Sequence, residues 1–235
     1  MGTSVFSQVS VIAFDLDDTL WPCMPTIHRA EDILYQWLTR YYPRITQGFD
    51  PEQIVSYRRE FSAREPRYAI DMTAMRRDFL HHLGEIHDYD GQQVAGQGFD
   101  VFFTARQQVE FYDDVLPCLQ RLKQKFRLGS ITNGNASVEH VGLGDLIEHA
   151  VGAPDVMLAK PDPLIYQHLA ERFEVRPEEI VYVGDHPRYD VVGSVDAGFH
   201  AVWINRERMV WPADLPQPQH QVSDLHQLEA LLESR

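Results

Sequence analysis

The feature that most constrains this chain is an acidic run that directly follows a short apolar segment. The segment Val9–Phe14 is mostly apolar and β-branched, which is typical of a parallel strand buried on both faces. Asp15, Asp17 and Thr19 follow it at once. Open α/β sheets bind ligands at the carboxyl ends of their strands, so acids at this position predict a ligand site. From these residues alone, a solvated acidic turn is the alternative.

Two further strand candidates and one helix start carry polar residues in the same way. Arg127–Thr132 ends in a hydroxyl residue, and Ile180–Val183 stops at Gly184-Asp185. Lys160 precedes a helix that opens at Asp162-Pro163. Strands that alternate with helices predict an α/β fold with a Rossmann-like, doubly wound parallel sheet. Parallel strands share a carboxyl edge, so we expect these polar side chains to converge.

The stretch between the first two strand candidates differs in character, because it has helical periodicity and no strand pattern. The pattern predicts four helices: Thr26–Tyr42, one capped by Asp50 and running to about Arg64, one from Asp71 to Leu83 that Gly84 ends, and Gln92–Gln108. We therefore expect two domains. Residues 1–21 and 112–235 would form an α/β core, and residues 22–111 an all-helical insert after the first strand.

The carboxyl-terminal half continues the alternation of strands and helices. We expect a helix and a Gly-rich connection after Asn135, then a short strand at His149–Gly152. His200–Ile204 is the last strand that the pattern predicts. Trp211–Gln221 is rich in Pro and Gln, which favours a loop.

Composition limits the partners that this chain is expected to bind. Its 21 basic and 35 acidic residues give a net charge of −14, which argues against nucleic acid. We find no secretion signal and no apolar run near the ~20 residues of a membrane helix, so we expect a cytoplasmic protein without a membrane partner. Cys23 and Cys118 are then expected to be free thiols. The 11 histidines show no zinc-binding spacing, and a monomer or a homodimer remains open.

Together, the polar stretches resemble the four signatures of the haloacid dehalogenase superfamily of phosphohydrolases. The matching residues are Asp15, Asp17 and Thr19 for the first signature, Thr132 for the second, Lys160 for the third, and Gly184, Asp185 and Asp190 for the fourth. The helical insert resembles the C1-type cap of this family. In finer detail, Phe14–Leu20, Ile131–Ala136 and Gly142–Asp145 resemble the branch that dephosphorylates flavin mononucleotide or a phosphorylated ribitylamino-uracil precursor of riboflavin.

The resemblance implies an Mg²⁺-dependent phosphatase that acts on a small phosphorylated metabolite. Asp15 would be the nucleophile that forms an aspartyl-phosphate, and Asp17 the general acid and base. Asp15, the main-chain carbonyl of Asp17 and Asp185 would bind the metal. Asp190 would either bind it as well or orient Lys160 or a water on the metal.

The same resemblance assigns the groups that would bind the phosphate. Thr132 would donate its hydroxyl, the main-chain amides of Asn133 and Gly134 would add to the cradle, and Lys160 would supply positive charge. Taken singly, Thr132 could instead cap a helix, Lys160 could be a surface lysine, and Asp185 could be a turn residue.

Three other functions compete with the phosphatase. A haloacid dehalogenase uses the same nucleophile on a carbon–halogen bond, but it needs no metal and no proton for the halide. Asp17 and the other acids would then lack a purpose, which argues against it. A non-catalytic phosphometabolite-binding protein and a phosphomutase remain open.

Overall fold

The core of the protein is a six-stranded parallel sheet. The computed structural model describes residues 6–233. Its strands are β1 (Val11–Phe14), β2 (Arg127–Thr132), β3 (His149–Gly152), β4 (Ile180–Gly184), β5 (His200–Ile204) and β6 (Gln221–Val222). They lie in the order β3-β2-β1-β4-β5-β6, and every neighbouring pair is parallel. The predicted doubly wound, Rossmann-like fold is therefore confirmed.

β1 lies at the centre of this sheet, where the strand order reverses. Val11 pairs with Arg127 of β2 on one side and with Ile180 of β4 on the other. All four residues of β1 and all five of β4 are buried, which explains why neither sequence alternates between apolar and polar residues. Both strands end at the edge where open α/β sheets bind ligands.

The chain between β1 and β2 is helical, as the sequence predicts. The helices are α1 (Cys23–Tyr41), α2 (Pro43–Gly48), α3 (Pro51–Ser62), α4 (Met72–Ile86) and α5 (Gly91–Arg106), and the described residues 23–109 contain no strand. Cys23–Val109 is one compact unit, and the chain up to Pro22 together with the chain from Glu110 onward is the other. Asp50 caps α3 as predicted, because its side chain accepts the Gln53 N–H at 2.8 Å and its own N–H donates to the Gln53 side chain.

Gly84 does not end a helix, so that prediction is wrong. It lies buried inside α4, where a Cβ would come within 2.8 Å of the Gly91 Cα in α5. The missing side chain lets α4 and α5 approach each other closely. The helical unit has its own apolar core, to which α1 contributes Leu34 and Leu38 and α4 contributes Phe79.

The helices of the sheet-containing unit lie between its strands along the chain, with the last helix after the last strand. They are α6 (Val115–Leu122), α7 (Ala153–Val156), α8 (Pro163–Phe173), α9 (Gly193–Asp196) and α10 (Leu225–Glu233), with a π-helical segment at Pro187–Val192. The helix expected after Asn135 is absent, and described residues 133–148 form turns instead. Gly142 has a φ of +86° there, which interrupts any right-handed helix. No described helix has both the length and the apolar character that crossing a bilayer requires.

β6 is a third departure, because the sequence-based expectation is a loop up to Gln221. Its two residues extend the sheet through the pairing of Trp203 with Gln221 and of Ile204 with Val222. A strand this short has too few residues to show a period of two.

Candidate active site

Three acids from the two central strands and the segment after them converge at the carboxyl edge of the sheet. Asp15 follows β1, Asp185 follows β4, and Asp190 lies in the π-helical segment. One carboxylate oxygen of each lies within 4.8 Å of the others. Asp15 and Asp190 are buried, and Asp185 is partly buried. Hard divalent cations such as Mg²⁺ bind oxygen ligands, so the donor set fits such an ion.

The electrostatics of this cluster also favour a cation. Burial raises the pKa of Asp15 well above its usual value, the nearby Lys160 lowers it, and Asp190 and Asp185 raise it further. Burial, followed by Asp190 and Asp18, raises the pKa of Asp185 to about 7. These shifts arise because the carboxylates are partly desolvated and repel one another. A divalent cation would relieve that repulsion.

Lys160 is the internal counter-ion of the cluster. Its Nζ lies 2.5 Å from Asp15 Oδ1 and 2.6 Å from Asp190 Oδ1, and it donates to the Tyr182 hydroxyl at 3.1 Å. Burial lowers the pKa of Lys160, but Asp15 and Asp190 outweigh burial and raise this pKa above its ordinary value. Lys160 therefore stays charged at neutral pH.

Two residues hold Lys160 in place. The Asn133 side chain accepts the Lys160 N–H at 2.8 Å and donates to the Lys160 carbonyl at 3.0 Å. Tyr182, which is fully buried in β4, donates its hydroxyl to the Ile131 carbonyl at 3.0 Å. Sequence reasoning missed Tyr182 and the side-chain contact of Asn133. A tyrosine in the otherwise apolar run of β4 was the available signal, because a buried hydroxyl needs a partner.

Thr132 ends β2 at the same edge and is buried. Its Oγ1 accepts the Gly134 N–H at 3.0 Å. Since the oxygen accepts this bond, the hydroxyl hydrogen is directed elsewhere and can be donated. The Gly134 amide is predicted to bind phosphate as well. To do so, its N–H would have to leave Thr132 Oγ1 or donate to both Thr132 Oγ1 and the phosphate.

The acidic loop after β1 is held by its own contacts. Trp21 Nε1–H donates to Asp17 Oδ1 at 2.8 Å, which fixes the carboxylate of Asp17 outside the group of three acids. The Thr19 hydroxyl donates to Asp185 Oδ1 at 3.4 Å. Arg206 Nε donates to the Thr19 carbonyl at 2.9 Å and thereby anchors the loop, a contact that sequence reasoning did not foresee.

Packing explains the Gly-Asp pair at the end of β4. A Cβ at Gly184 would lie 2.5 Å from the Cβ of Asp190, so only glycine lets Asp190 pack against this strand. Asp190 Oδ2 accepts the His186 N–H at 2.8 Å. The His186 ring accepts the main-chain N–H groups of Arg188 and Tyr189, so it caps the π-helical segment.

The parallel sheet and its acid cluster are those of a haloacid dehalogenase-like hydrolase. The model of this family matches residues 9–198. The chain therefore belongs to the haloacid dehalogenase-like hydrolases, which confirms the family that the signatures predict, and it is an enzyme.

Relatives of this chain carry two kinds of named activity. The 5-amino-6-(5-phospho-D-ribitylamino)uracil phosphatase YigB of Escherichia coli (strain K12) is 29% identical over 232 residues, which cover 96% of this chain and 97% of that protein. The glyceraldehyde 3-phosphate phosphatase of Methanopyrus kandleri is 26% identical over 213 residues, 85% of each chain. The crystal structure of a 2-haloacid dehalogenase from Pseudomonas syringae pv. Tomato DC3000 is 37% identical with a TM-score of 0.88, and the match covers 95% of this chain and 98% of that one.

Proposed function

We propose that this protein is an Mg²⁺-dependent phosphatase that acts on a small phosphorylated metabolite. The observation that carries the proposal is the cluster of Asp15, Asp185 and Asp190 around Lys160. A phosphate monoester is a dianion that repels a carboxylate nucleophile, so this attack needs a cation. Displacement of a halide from a neutral carbon needs no such cation. The two extra acids would then only make the surroundings of the nucleophile more negative.

Asp15 and Asp17 would carry the chemical steps. Asp15 Oδ attacks phosphorus, the bond from phosphorus to the ester oxygen breaks, and Asp17 gives its proton to that leaving oxygen. Asp17 then takes a proton from the water that attacks the aspartyl-phosphate, which releases phosphate and restores Asp15. The hydrogen bond from Trp21 to Asp17 keeps this carboxylate oriented. When bound, Mg²⁺ would neutralise charge between Asp15 and the phosphoryl group.

The remaining residues would bind the metal and the phosphate. We assign Asp15, Asp185 and the main-chain carbonyl of Asp17 to the metal. Both oxygens of Asp190 accept hydrogen bonds, from Lys160 and from the His186 N–H, so we assign Asp190 to orienting Lys160.

Lys160 and the Thr132 hydroxyl would donate to the phosphoryl oxygens, and the main-chain amides of Asn133 and Gly134 would complete the cradle. The reciprocal contact of the Asn133 side chain with the Lys160 main chain supports this assignment, because it ties the two phosphate-binding segments together.

For the substrate, we propose flavin mononucleotide or a phosphorylated precursor of riboflavin. The resemblance of Phe14–Leu20 and Ile131–Ala136 to that branch supports this choice. So does the name of the Escherichia coli relative, which matches over almost the full length of both chains. Nucleic acid and membranes are not expected as partners. The cytoplasmic location and the choice between monomer and homodimer stay predictions.

A haloacid dehalogenase is the second candidate, because the Pseudomonas syringae structure with that name is 37% identical. The two activities differ in their need for metal and for Asp17. A phosphatase loses turnover without the metal or without a proton donor at Asp17. A dehalogenase releases halide in the presence of a chelator and keeps this activity when Asp17 is changed to Asn.

The experiment measures phosphate release from flavin mononucleotide, sugar phosphates, nucleotides and phosphoglycolate, with and without Mg²⁺. Chloride release from 2-chloropropionate in chelator is measured in parallel. Asp15→Asn should abolish phosphate release. Asp18→Asn is the matched control on the same loop, since residue 18 has a φ of +58°, which Asn tolerates. Metal-independent chloride release without phosphate release, from folded protein, would refute the phosphatase.

A further inference from the structure

Outside the candidate active site, the packing of α6 against α10 gathers three metal-binding side chains of different kinds. Cys118 comes from α6, and His226 and Glu229 come from α10, where they are three residues apart on one face. One ligand atom of each lies within 4.8 Å of the other two. We infer that Cys118, His226 and Glu229 form a zinc-binding site that joins α6 to α10.

The distances between the three donor atoms are close to those of a tetrahedral site. Cys118 Sγ lies 3.3 Å from His226 Nδ1 and 3.0 Å from Glu229 Oε2, and the nitrogen lies 3.8 Å from that oxygen. With ordinary zinc–ligand bond lengths, the edges of a tetrahedron are roughly 3.3–3.6 Å. Shifts of about 0.5 Å or less therefore bring all three atoms to bonding distance of one ion, with the fourth position for water.

The type of donor selects the metal. Sulfur and imidazole nitrogen are ligands for Zn²⁺ and related transition metals, whereas Mg²⁺ takes oxygen ligands. The cluster of Asp15, Asp185 and Asp190 offers only oxygen. The two sites are thus chemically distinct, and a thiolate–metal bond can arise only at the second.

Arg121 is the group that an incoming ion must displace. Its Nη2 donates to Glu229 Oε2 at 2.6 Å and to Cys118 Sγ at 3.1 Å, while its Nε donates to Glu229 Oε1 at 2.8 Å. Half of its side chain is exposed, so the guanidinium has room to turn outward. Glu229 can then bind the ion through Oε2.

The thiol loses its proton when the ion binds. Burial, together with the hydrogen bond to Glu229, raises the pKa of Cys118 to about 12, so the metal-free thiol is protonated. Formation of the metal–sulfur bond releases that proton to solvent. His226 is mostly exposed, and a cavity of about 470 Å³ lined by Arg121, Phe126 and Glu229 opens beside the cluster. Cys118 itself is fully buried, so an ion that enters beside His226 and Glu229 reaches the sulfur once Arg121 turns outward.

Cobalt is the direct probe, because thiolate-bound Co²⁺ has an intense near-ultraviolet charge-transfer band that an all-oxygen site lacks. Reduced, chelator-treated protein is titrated with Co²⁺ and then with Zn²⁺. We expect one Co²⁺ per chain to produce the band and Zn²⁺ to remove it. Cys118→Ser should abolish the band, and Cys23→Ser, the matched thiol control, should leave it unchanged.

Further variants keep the test decisive if Cys118→Ser does not fold. His226→Gln replaces an exposed side chain and should weaken Co²⁺ binding at least about tenfold. Arg121→Gln removes the competing cation and should tighten binding. A missing band in the wild-type protein, a band that depends on Cys23, or equal affinity in wild-type and His226→Gln protein would each overturn the zinc site.

Discussion

Replacing Gly184 by Ala tests whether the close packing of Asp190 against β4 sets the position of Lys160. The new Cβ would lie 2.5 Å from both the Cβ and Oδ2 of Asp190. Asp190 is 1% exposed and has no open space to move into, so its side chain must shift by roughly 1 Å to reach ordinary contact distance. That shift breaks the 2.6 Å ion pair between Asp190 and Lys160.

The magnitude follows from the two costs involved. Overpacking alone costs about 1–3 kcal/mol, and breaking a buried ion pair costs about 3–5 kcal/mol. The overpacking and the broken ion pair arise from the same displacement, so their costs do not add fully. Ala also loses less conformational entropy than Gly on folding, which offsets roughly 0.5–1 kcal/mol. We expect a net loss of about 3 kcal/mol, which lowers the Tm by roughly 6–12 °C in a protein of this size. Misplacing Lys160 should also lower kcat about 10²-fold.

The assay combines thermal unfolding of metal-free protein with phosphate release at saturating Mg²⁺. Gly96→Ala is the matched control, because Gly96 lies exposed in α5 and a Cβ there would meet nothing within 4 Å. The control should raise the Tm slightly, since Ala favours a helix over Gly. A Gly184→Ala protein with wild-type Tm and wild-type kcat would refute the packing argument.

Three further predictions concern charged groups. Folding raises the pKa of Asp185 to about 7, so the metal-free protein should lose stability as the pH rises from about 4 to 7. In urea unfolding this loss should be smaller for Asp185→Asn, with the remainder due to Asp15, whose pKa is also raised. Arg206→Gln removes both hydrogen bonds, each 3.1 Å, from Arg206 to the buried carboxylate of Asp114. It should lower the Tm and kcat, and Arg206→Lys should restore only part of each loss. Glu31→Gln removes the negative charge 2.8 Å from buried Arg76 and should cost about 3 kcal/mol in thermal unfolding.

Each of these predictions has an outcome that contradicts it. Parallel pH profiles of wild-type and Asp185→Asn stability would mean that Asp185 takes up no extra proton on folding. A normal kcat in the Arg206→Gln protein would mean that turnover does not need the contacts by which Arg206 anchors the loop. Glu148→Gln is the control for Glu31→Gln, because the Glu148 pair with Arg127 is about half exposed and should be worth at most about 1 kcal/mol. Equal losses in both variants would contradict the effect of burial.

The sequence predicts a strand best where the strand is mostly apolar and buried on both faces. β1 and β4 are found because buried parallel strands need no alternation, whereas the two residues of β6 leave no period to detect. The prediction that Gly84 ends a helix is wrong. Glycine is needed at this position because α5 approaches it closely at Gly91. A prediction from neighbouring residues in the sequence does not include a contact between two helices.

The residues of the candidate site also fall into those that the sequence predicts and those that only the fold shows. Asp15, Thr132, Lys160 and Asp185 were expected together because parallel strands share an edge. The side-chain contact of Asn133 with Lys160, the Tyr182 hydroxyl and the Arg206 anchor join positions that are distant in sequence, so no local pattern records them. The cluster of Cys118 with His226 and Glu229 was missed for the same reason, since α6 and α10 meet only in the fold.

The central position of β1 has a consequence for synthesis of the protein. β1 is synthesised before the other described strands, yet Val11 pairs with Arg127 and Ile180, which are made much later. At about 5–20 residues per second, this apolar strand waits on the order of 10 s for its second neighbour. The helical unit from Cys23 to Val109 is complete within that interval and can fold on the nascent chain. During that interval the apolar residues of β1 have no neighbouring strand, so they can make incorrect contacts on the nascent chain.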